Sequence, residues 1–276
     1  MKKTLAVILS AAMAVSCMGF AAFAEDASGD ADYVIATDTV FKPFEYTDES
    51  GEFVGIDVDL LAAIAKDQGF TYKLNSLGWD SAIAACQAGQ ADGMIAGASI
   101  TDERKQSGWM FSDGYYMATQ SMFTSEKSDI TGFDDLKGKT VGAKTGTQGA
   151  AYAESLKDQY GFTITYYEDS PTMYQAVLGG QAVAGFEDTP IMAASIQDGE
   201  LALKIVEGTE NDGAPYGFAV FNKDEQELLD KFNAGLNDIV ADGTYEKIIA
   251  KYLGDDAAAS AAAAFETEGT TEGATE

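Results

Sequence analysis

The chain has 276 residues, is 46% hydrophobic and carries a formal net charge of −28 with no histidine. This length and apolar content are sufficient for one large domain or two smaller ones. The negative charge excludes nucleic acid as a partner, because phosphate binding requires clustered Lys and Arg.

The lack of histidine removes several classes of catalytic and metal site. It excludes the Ser-His and Cys-His nucleophile systems, the usual general base and the commonest transition-metal ligand. The sequence also lacks the alternating Asp/Asn-Gly calcium loop with its closing Glu. We therefore expect no metal site and no cofactor, and we attribute the acidity to solubility and self-repulsion.

The first residues have the features of a secretory signal peptide. Lys2 and Lys3 precede a long apolar run, and an Ala-Phe-Ala cleavage sequence ends at Ala24. Residues 1–24 are the predicted signal peptide, and Cys17 is an alternative site of lipid attachment. Either route predicts an extracytoplasmic protein that is secreted, periplasmic or held at the cell surface.

From residue 33 to residue 254, short apolar strands alternate with helices, and the alternation occurs twice. The first set comprises predicted strands at 33–37, 70–74 and 94–96 and helices at 57–66, capped by Asp57, and 81–88. The second set comprises strands at 140–143, 162–167 and 182–186 and helices at 149–160 and from Ser170 and Pro171 onward. Helices at 225–241 and 245–252 follow, and residues 255–276 are predicted to be a disordered acidic tail.

This alternation predicts an α/β fold with two similar lobes, each built on a mostly parallel sheet with helices on its faces. The extended segments 115–123 and 216–221 are the predicted crossovers between the lobes, and the last two helices pack back on lobe 1. Ligands of open α/β sheets bind at the carboxyl ends of the strands. The cleft between the lobes is therefore the predicted site.

The candidate site residues lie at or just after the predicted strand ends and come from five separate parts of the chain. They are Asp38, Phe41, Trp79, Ala96, Gly97, Ser99, Arg104, Lys144, Gln148, Glu187 and Asp188. An arginine beside a hydroxyl and a glycine at a strand end is suited to hold a small carboxylate by two parallel hydrogen bonds. A surface salt bridge is the alternative role for Arg104.

Seven short strings, in their order and spacing, resemble one family over nearly all of residues 33–254. They are ATDTVFKPFEY, GIDVDLLAAIAK, ASITDERK, FSDGYY, AKTGTQG, EDTP and ADGTYEKIIAKYLG. The sequence is similar to the extracytoplasmic solute-binding proteins of polar amino acid ABC transporters, bacterial solute-binding family 3. Its glutamine-binding members are the most similar, because both Asp38 and Lys144 are present.

The resemblance implies a periplasmic-binding-protein type II fold, a two-lobed Venus flytrap with hinge strands near 115–119 and 214–218. Lobe 1 would comprise residues 33–118 and 217–254, and lobe 2 residues 119–216. The implied partners are a free amino acid and a membrane ABC permease, and a monomer is expected.

Within this family, Arg104 is expected to bind the ligand α-carboxylate, with help from Ser99 and the backbone N–H of Gln148. The turn before Gln148 opens a helix, whose free N–H groups favour an anion; a plain loop-to-helix turn is the alternative. Asp188 is expected to hold the α-ammonium together with Ser99 and the Gly97 carbonyl. Its alternative role is a helix N-cap before Pro190.

Phe41 and Trp79 are expected to sandwich the aliphatic part of the ligand, with core packing as their alternative role. Asp38 as acceptor and Lys144 as donor suit a primary amide, which favours glutamine. Arg104 and Lys144 contribute +2, and Asp38, Glu187 and Asp188 contribute −3. The resulting net charge of −1 would admit lysine, arginine or ornithine and disfavour glutamate. Cystine is a further candidate ligand.

Two functions of another class remain open. Some relatives of this fold are cyclohexadienyl dehydratases, and Glu187 would be the general acid of such an enzyme. A free sensor or host-interaction protein would use the same pocket. The amino acid-binding pattern of Lys144 and Asp188 favours a binding protein without enzymatic activity.

Overall fold

A computed structural model describes residues 31–197 and 201–268. The predicted signal peptide, Cys17 and the last eight residues of the predicted tail lie outside the described residues. Among the residues that are described, none of the helices is both long enough and apolar enough to cross a lipid bilayer.

The described chain alternates strands and helices along most of its length. The strands are β1 (Tyr33–Thr37), β2 (Tyr46–Thr47), β3 (Phe53–Val54), β4 (Tyr72–Ser76), β5 (Gly93–Met94), β6 (Met110–Phe111), β7 (Tyr116–Ala118), β8 (Gln120–Ser125), β9 (Thr140–Lys144), β10 (Thr163–Tyr167), β11 (Ala184–Asp188), β12 (Leu203–Ile205), β13 (Ala214–Tyr216) and β14 (Ala219–Val220). The α-helices are α1 (Ile56–Gln68), α2 (Trp79–Gln87), α3 (Asp102–Gln106), α4 (Gln148–Tyr160), α5 (Ser170–Leu178), α6 (Thr189–Gln197), α7 (Gln226–Ala241), α8 (Thr244–Leu253) and α9 (Asp255–Glu268). Short 3-10 helices lie at Phe133–Leu136 and Lys223–Glu225.

The first sheet has the strand order β4-β1-β5-β14-β6. β1 is parallel to β4 and β5, whereas β14 pairs antiparallel with β5 and β6. Apolar residues of α1, α7 and α8 form the core on one face, and residues of α2 form a second core with β5. Both faces of this sheet are therefore covered, as the apolar strands require.

The second sheet has the order β10-β9-β11-β8-β12. β9 is parallel to β10 and β11, and β8 is antiparallel to β11 and β12. Residues of α4 pack on one face, and residues of α5 and α6 pack on the other. The two sheets confirm the predicted α/β architecture with mostly parallel strands.

Both sheets share one topology, in which the antiparallel strand is supplied by a segment that crosses from the other half of the molecule. The chain passes from β6 through β7 into β8, and it returns from β12 through β13 into β14. β7 and β13 pair antiparallel, with Tyr116 opposite Tyr216 and Ala118 opposite Ala214. This strand pair connects the two sheets.

Helix α7 shows how the sequence determines packing against α1. Its buried residues recur at helical spacing, at Leu228, Leu229, Phe232, Leu236 and Ile239. The same face carries Gly235, where a Cβ atom would lie 2.9 Å from Cγ2 of Ile64 in α1. A glycine here allows the two helices to approach closely.

Two predicted features are wrong. The first long helix begins at Ile56 without a side-chain cap, so Asp57 lies inside its first turn and is fully buried. The tail from residue 255 is not disordered over Asp255–Glu268, because these residues form α9. Ala258 is fully buried in this helix, and the ring centroids of Phe265 and Tyr245 are 5.0 Å apart. This apolar contact supplies the burial that the composition did not indicate.

Candidate functional site

One cleft lies at the carboxyl ends of the strands of both sheets, as the strand-end rule predicts. It is lined by Asp38, Phe41, Trp79, Ala96, Gly97, Ser99, Arg104, Lys144, Thr147, Gln148 and Asp188. The space between these residues, together with its opening to solvent, measures about 260 Å³. Ten of the eleven sequence-predicted site residues are among them, and Glu187 is not.

Arg104 is positioned by the short helix α3, whose N-cap Thr101 accepts a hydrogen bond from the Arg104 main-chain N–H. Its guanidinium Nη1 donates to the Ser99 carbonyl at 2.8 Å, and Nη2 donates to the Gly146 carbonyl of the other half at 3.2 Å. Burial lowers the pKa of Arg104 to about 10, while the nearby Asp188 carboxylate acts in the opposite direction. The side chain is therefore still a cation at neutral pH.

Aromatic rings surround the two cations of the cleft. The Arg104 guanidinium carbon lies 5.1 Å from the ring centroids of both Trp79 and Trp109. The Lys144 Nζ lies 5.2 Å from the ring centroid of Phe41 and 5.9 Å from that of Trp79. Rings at these distances stabilise a cation and keep water away from it. Trp79 also keeps one unused donor, because its buried Nε1 has no hydrogen-bond partner among residues 31–197 and 201–268.

The N-terminus of α4 forms one wall of the cleft. The Thr147 side chain caps this helix by accepting from the Ala150 N–H, and its hydroxyl donates to the Lys144 carbonyl. Gly149 permits close contact with β11, since a Cβ atom there would lie 2.8 Å from the Phe186 carbonyl oxygen. Unpaired N–H groups of a first helical turn favour an anion.

Asp188 is the last residue of β11, and both of its carboxylate oxygens accept hydrogen bonds. Gln120 Nε2 donates to Oδ1 at 2.6 Å, and the Tyr216 hydroxyl donates to Oδ2. Burial raises the pKa of Asp188, and the bonds from Tyr216 and Gln120 and the charge of Arg104 oppose that rise. Among the described residues, no ion pair within 4.0 Å joins Arg104 to Asp188.

Lys144 and Asp38 form a buried ion pair across the cleft. Lys144 ends β9 in the second sheet, and Asp38 follows β1 in the first sheet. The Lys144 Nζ donates directly to Asp38 Oδ2, and both side chains are at most 5% exposed. The predicted acceptor and donor for the tip of a ligand side chain therefore contact each other.

Glu187, which is predicted to contact the ligand, does not line the cleft. The strand was expected to end at 186, but β11 extends to Asp188, and successive residues of a strand point to opposite faces. Glu187 consequently faces α5, where its Oε2 accepts from the hydroxyls of Ser170 and Tyr174 at 2.6 Å and 3.0 Å. Burial, reinforced by the charge of Asp188, raises the pKa of Glu187 to about 7.

A buried carboxylate supports the floor of the cleft from behind. Asp57 Oδ2 accepts from the Gly97 N–H at 2.8 Å and from the Tyr115 hydroxyl at 3.0 Å. Burial raises the pKa of Asp57 to about 6 and that of the adjacent Glu45 well above its ordinary value. Asp57 thus links the cleft-lining Gly97 to the residue that precedes β7.

Sequence reasoning missed Thr147 and Asp57 as parts of this site. Thr147 stands one residue before the predicted Gln148, and the helix N-cap preference for threonine was an available signal. The sequence pattern predicts Asp57 to be a cap, because an aspartate at a helix start usually is one. Only the packing of α1 beneath Gly97 reveals its role.

Comparison with known proteins identifies the family. The model of the bacterial extracellular solute-binding proteins, family 3, matches residues 33–255. The lysine/arginine/ornithine-binding periplasmic protein of Escherichia coli is 30% identical over an alignment of 259 positions, which covers 91% of this chain and 96% of that protein. This coverage extends over both lobes.

Two solved structures are also similar. Substrate-binding domain 2 of Lactococcus lactis GlnP, in an open conformation, is 41% identical, with 80% of this chain and 94% of that chain covered and a TM-score of 0.56. An ancestral arginine-binding protein bound to glutamine is 35% identical, with 80% and 97% covered and a TM-score of 0.73.

The two sheets, the paired strands β7 and β13 and the cleft between the halves correspond to a two-lobed periplasmic-binding-protein type II fold with a two-strand hinge. The matched family region includes every residue that lines the cleft. The chain therefore belongs to the bacterial extracellular solute-binding proteins, family 3.

Proposed function

We propose that the protein binds a free polar L-amino acid outside the cytoplasm and delivers it to a membrane ABC permease. One observation carries this proposal. A buried guanidinium, Arg104, and a buried carboxylate, Asp188, line the same cleft from different lobes without pairing to each other. An α-amino acid carries the two complementary charges on neighbouring groups, so it can bridge them.

The proposed mechanism is closure of the lobes on the ligand. Lobe 1 comprises residues 33–118 and 217–254, lobe 2 comprises residues 119–216, and the hinge is formed by β7 and β13. The Lactococcus lactis domain, which is in an open conformation, has a higher sequence identity to this chain than the ancestral protein has. Its TM-score is nevertheless lower, 0.56 against 0.73. A rotation between similar lobes would produce this combination. A ligand that contacts both lobes would favour the closed state.

Charge balance in the cleft supports a neutral ligand side chain. With Glu187 facing α5, the lining charges are Arg104 and Lys144 against Asp38 and Asp188, and they sum to zero. A cationic side chain would add an uncompensated buried charge unless it displaced Lys144 from Asp38. Glutamine is therefore our first candidate for the ligand.

A basic amino acid is the second candidate, and the names of relatives support it. The Escherichia coli protein is named for lysine, arginine and ornithine, and the ancestral protein is named as arginine-binding although glutamine is bound in that structure. A basic side chain would pair with Asp38 and displace Lys144. We further propose that the protein is not an enzyme, since Glu187, the candidate general acid, faces away from the cleft.

Thermal-shift screening of the secreted chain against the twenty amino acids, ornithine, citrulline and cystine tests the ligand, followed by calorimetry on those that shift. We expect glutamine to give the largest shift. A large shift with arginine or lysine and none with glutamine would favour the second candidate. Turnover of prephenate or arogenate by the purified protein would contradict the binding-protein assignment.

The Arg104→Ala variant tests the carboxylate contact. Truncating one partner of a buried charge pair should weaken binding by roughly 30-fold or more. Lys105→Ala removes an exposed cation from the next position of the same helix and should leave the affinity within about twofold. An affinity of Arg104→Ala that equals that of the wild type would refute the assignment.

A further inference from the structure

Gln120 occupies a buried position between the hinge and the cleft. It is the first residue of β8, two positions after β7 ends, and it is only 2% exposed. Its Nε2 donates to Asp188 Oδ1 at 2.6 Å, and its Oε1 accepts from Asn211 Nδ2 at 2.8 Å. A buried amide with both ends satisfied holds its neighbours in place.

Main-chain donors fix the orientation of this amide. Asn211 Oδ1 accepts from the N–H groups of Gln120 at 2.7 Å and Gly213 at 3.1 Å, and a main-chain nitrogen can only donate. The Nδ2 group of Asn211 must then face Gln120, which presents its oxygen in return. The Nε2 group of Gln120 is therefore directed at Asp188.

The second oxygen of Asp188 is also held from the hinge. The Tyr216 hydroxyl, on β13, donates to Oδ2. The strands β7 and β13 connect the lobes. Asp188 thus receives one donor from Gln120, just after β7, and one from Tyr216, in β13. Neither donor carries a charge, so the negative charge of Asp188 is not neutralised by its supports.

We infer that Gln120, oriented by Asn211, is a positioning residue that aims the Asp188 carboxylate at the ligand α-ammonium and couples this contact to the hinge. The inference rests on the proposed amino acid-binding function and adds two residues to it. It explains why a buried amide, rather than a lysine or arginine, stands beside Asp188. A cation there would compete with the ligand for the same carboxylate.

The test is a double-mutant cycle measured by calorimetry with the amino acid that the thermal-shift screen selects. Gln120→Met keeps the shape of the side chain and removes the donor. We expect the affinity to fall about tenfold to hundredfold, the range for a hydrogen bond to a charged group. In the Asp188→Asn background the same substitution should change the affinity less than threefold, because the charge that Gln120 positions is gone.

Asn211→Asp provides a second variant of nearly native shape. Its carboxylate still accepts from the two main-chain N–H groups but cannot donate to Gln120 Oε1, so the Gln120 amide is driven to reverse its orientation. We expect a loss of affinity in the same range. Thr209→Val is the control, since it removes buried hydrogen bonds to Met122 and Val206 without touching Asp188.

The outcomes separate this inference from the function on which it rests. Wild-type protein that binds no amino acid refutes both. Wild-type binding with an unchanged affinity in Gln120→Met and Asn211→Asp overturns the positioning role alone. An equal loss in the Asp188→Asn background, or a comparable loss in Thr209→Val, shows a general structural effect and also overturns it.

Discussion

Gly97 is the residue at which the cleft and its buried support meet. Its N–H donates to Asp57, its φ is +55°, and a Cβ atom would lie 2.5 Å from Cε1 of Phe41. The left-handed backbone conformation and the close aromatic contact both require glycine. Phe41 in turn lines the cleft, so the glycine also determines where that ring lies.

Replacing Gly97 with alanine should therefore be costly. We expect Gly97→Ala to lower the free energy of unfolding by about 2–4 kcal/mol, the sum of the backbone strain and the contact with Phe41, and to weaken ligand binding. Urea unfolding measures the first effect and calorimetry the second. Gly69→Ala is the control, because Gly69 has φ +68° but no atom within 4 Å of its added Cβ. Equal losses in the two variants would show that Phe41 is not constrained by Gly97.

The raised pKa of Glu187 makes the stability of the protein depend on pH. Its pKa is about 7 in the folded chain against 4.5 for an unperturbed glutamate. The folded state therefore holds the proton more tightly, and stability declines as pH rises from about 4.5 to about 7.

Glu187→Gln removes this ionisation while keeping hydrogen bonds to Ser170 and Tyr174 possible. The stability of the variant relative to wild type should rise between pH 5 and pH 8, as measured by urea unfolding at several pH values. Its ligand affinity should stay within about threefold, because Glu187 does not line the cleft. The exposed Glu168→Gln controls for the loss of one negative charge. A parallel pH dependence in Glu187→Gln and wild type would contradict the assignment.

At the scale of the element, the first turn of α4 combines stability and binding. Thr147 caps the helix and lines the cleft, whereas Asp169 caps α5 through the Thr172 N–H at 2.7 Å and does not line it. We expect Thr147→Ala and Asp169→Ala each to lower the free energy of unfolding by about 1 kcal/mol. Only Thr147→Ala should weaken ligand binding. A loss of affinity in Asp169→Ala would mean that the affinity follows global stability.

Several elements follow directly from local sequence patterns, and the candidate site follows with them. Alternating strands and helices predict the two sheets, and the strand-end rule brings Asp38, Arg104 and Lys144 to one cleft. The predicted strand ends at 186, two residues before the end of β11. The end of β11 is determined by pairing with β8, which local periodicity does not indicate. A small error in a strand end reverses which face a residue occupies, and that error misplaced Glu187.

Helix α9 failed to be predicted for a different physical reason. The Ala-rich sequence has no strong apolar stripe, so α9 is stabilised by tertiary contacts with α8, including the ring of Tyr245. The roles of Gln120 and Asn211 were equally hidden. A polar side chain becomes informative only when the partners at both of its ends are known.

At the scale of the whole molecule, α9 packs onto the core of lobe 1 near the start of the hinge strand β7. The Tyr245 ring contacts Phe265 of α9, and the Tyr245 hydroxyl donates to the carbonyl of Tyr115, the residue before β7. Ending the chain after Gly254 should uncover Tyr245 and lower the melting temperature by several degrees. Phe265→Ala should reproduce part of this loss. Unchanged melting temperatures in both variants would show that α9 does not stabilise lobe 1.

The strand order of the two sheets has a consequence for the order in which the chain can fold as it is synthesised. Every strand of the second sheet lies between Gln120 and Ile205, so this sheet can be completed from one continuous segment. The first sheet has β14 between β5 and β6, and therefore remains split until Val220 has emerged. The N-terminal lobe is thus begun first and finished last.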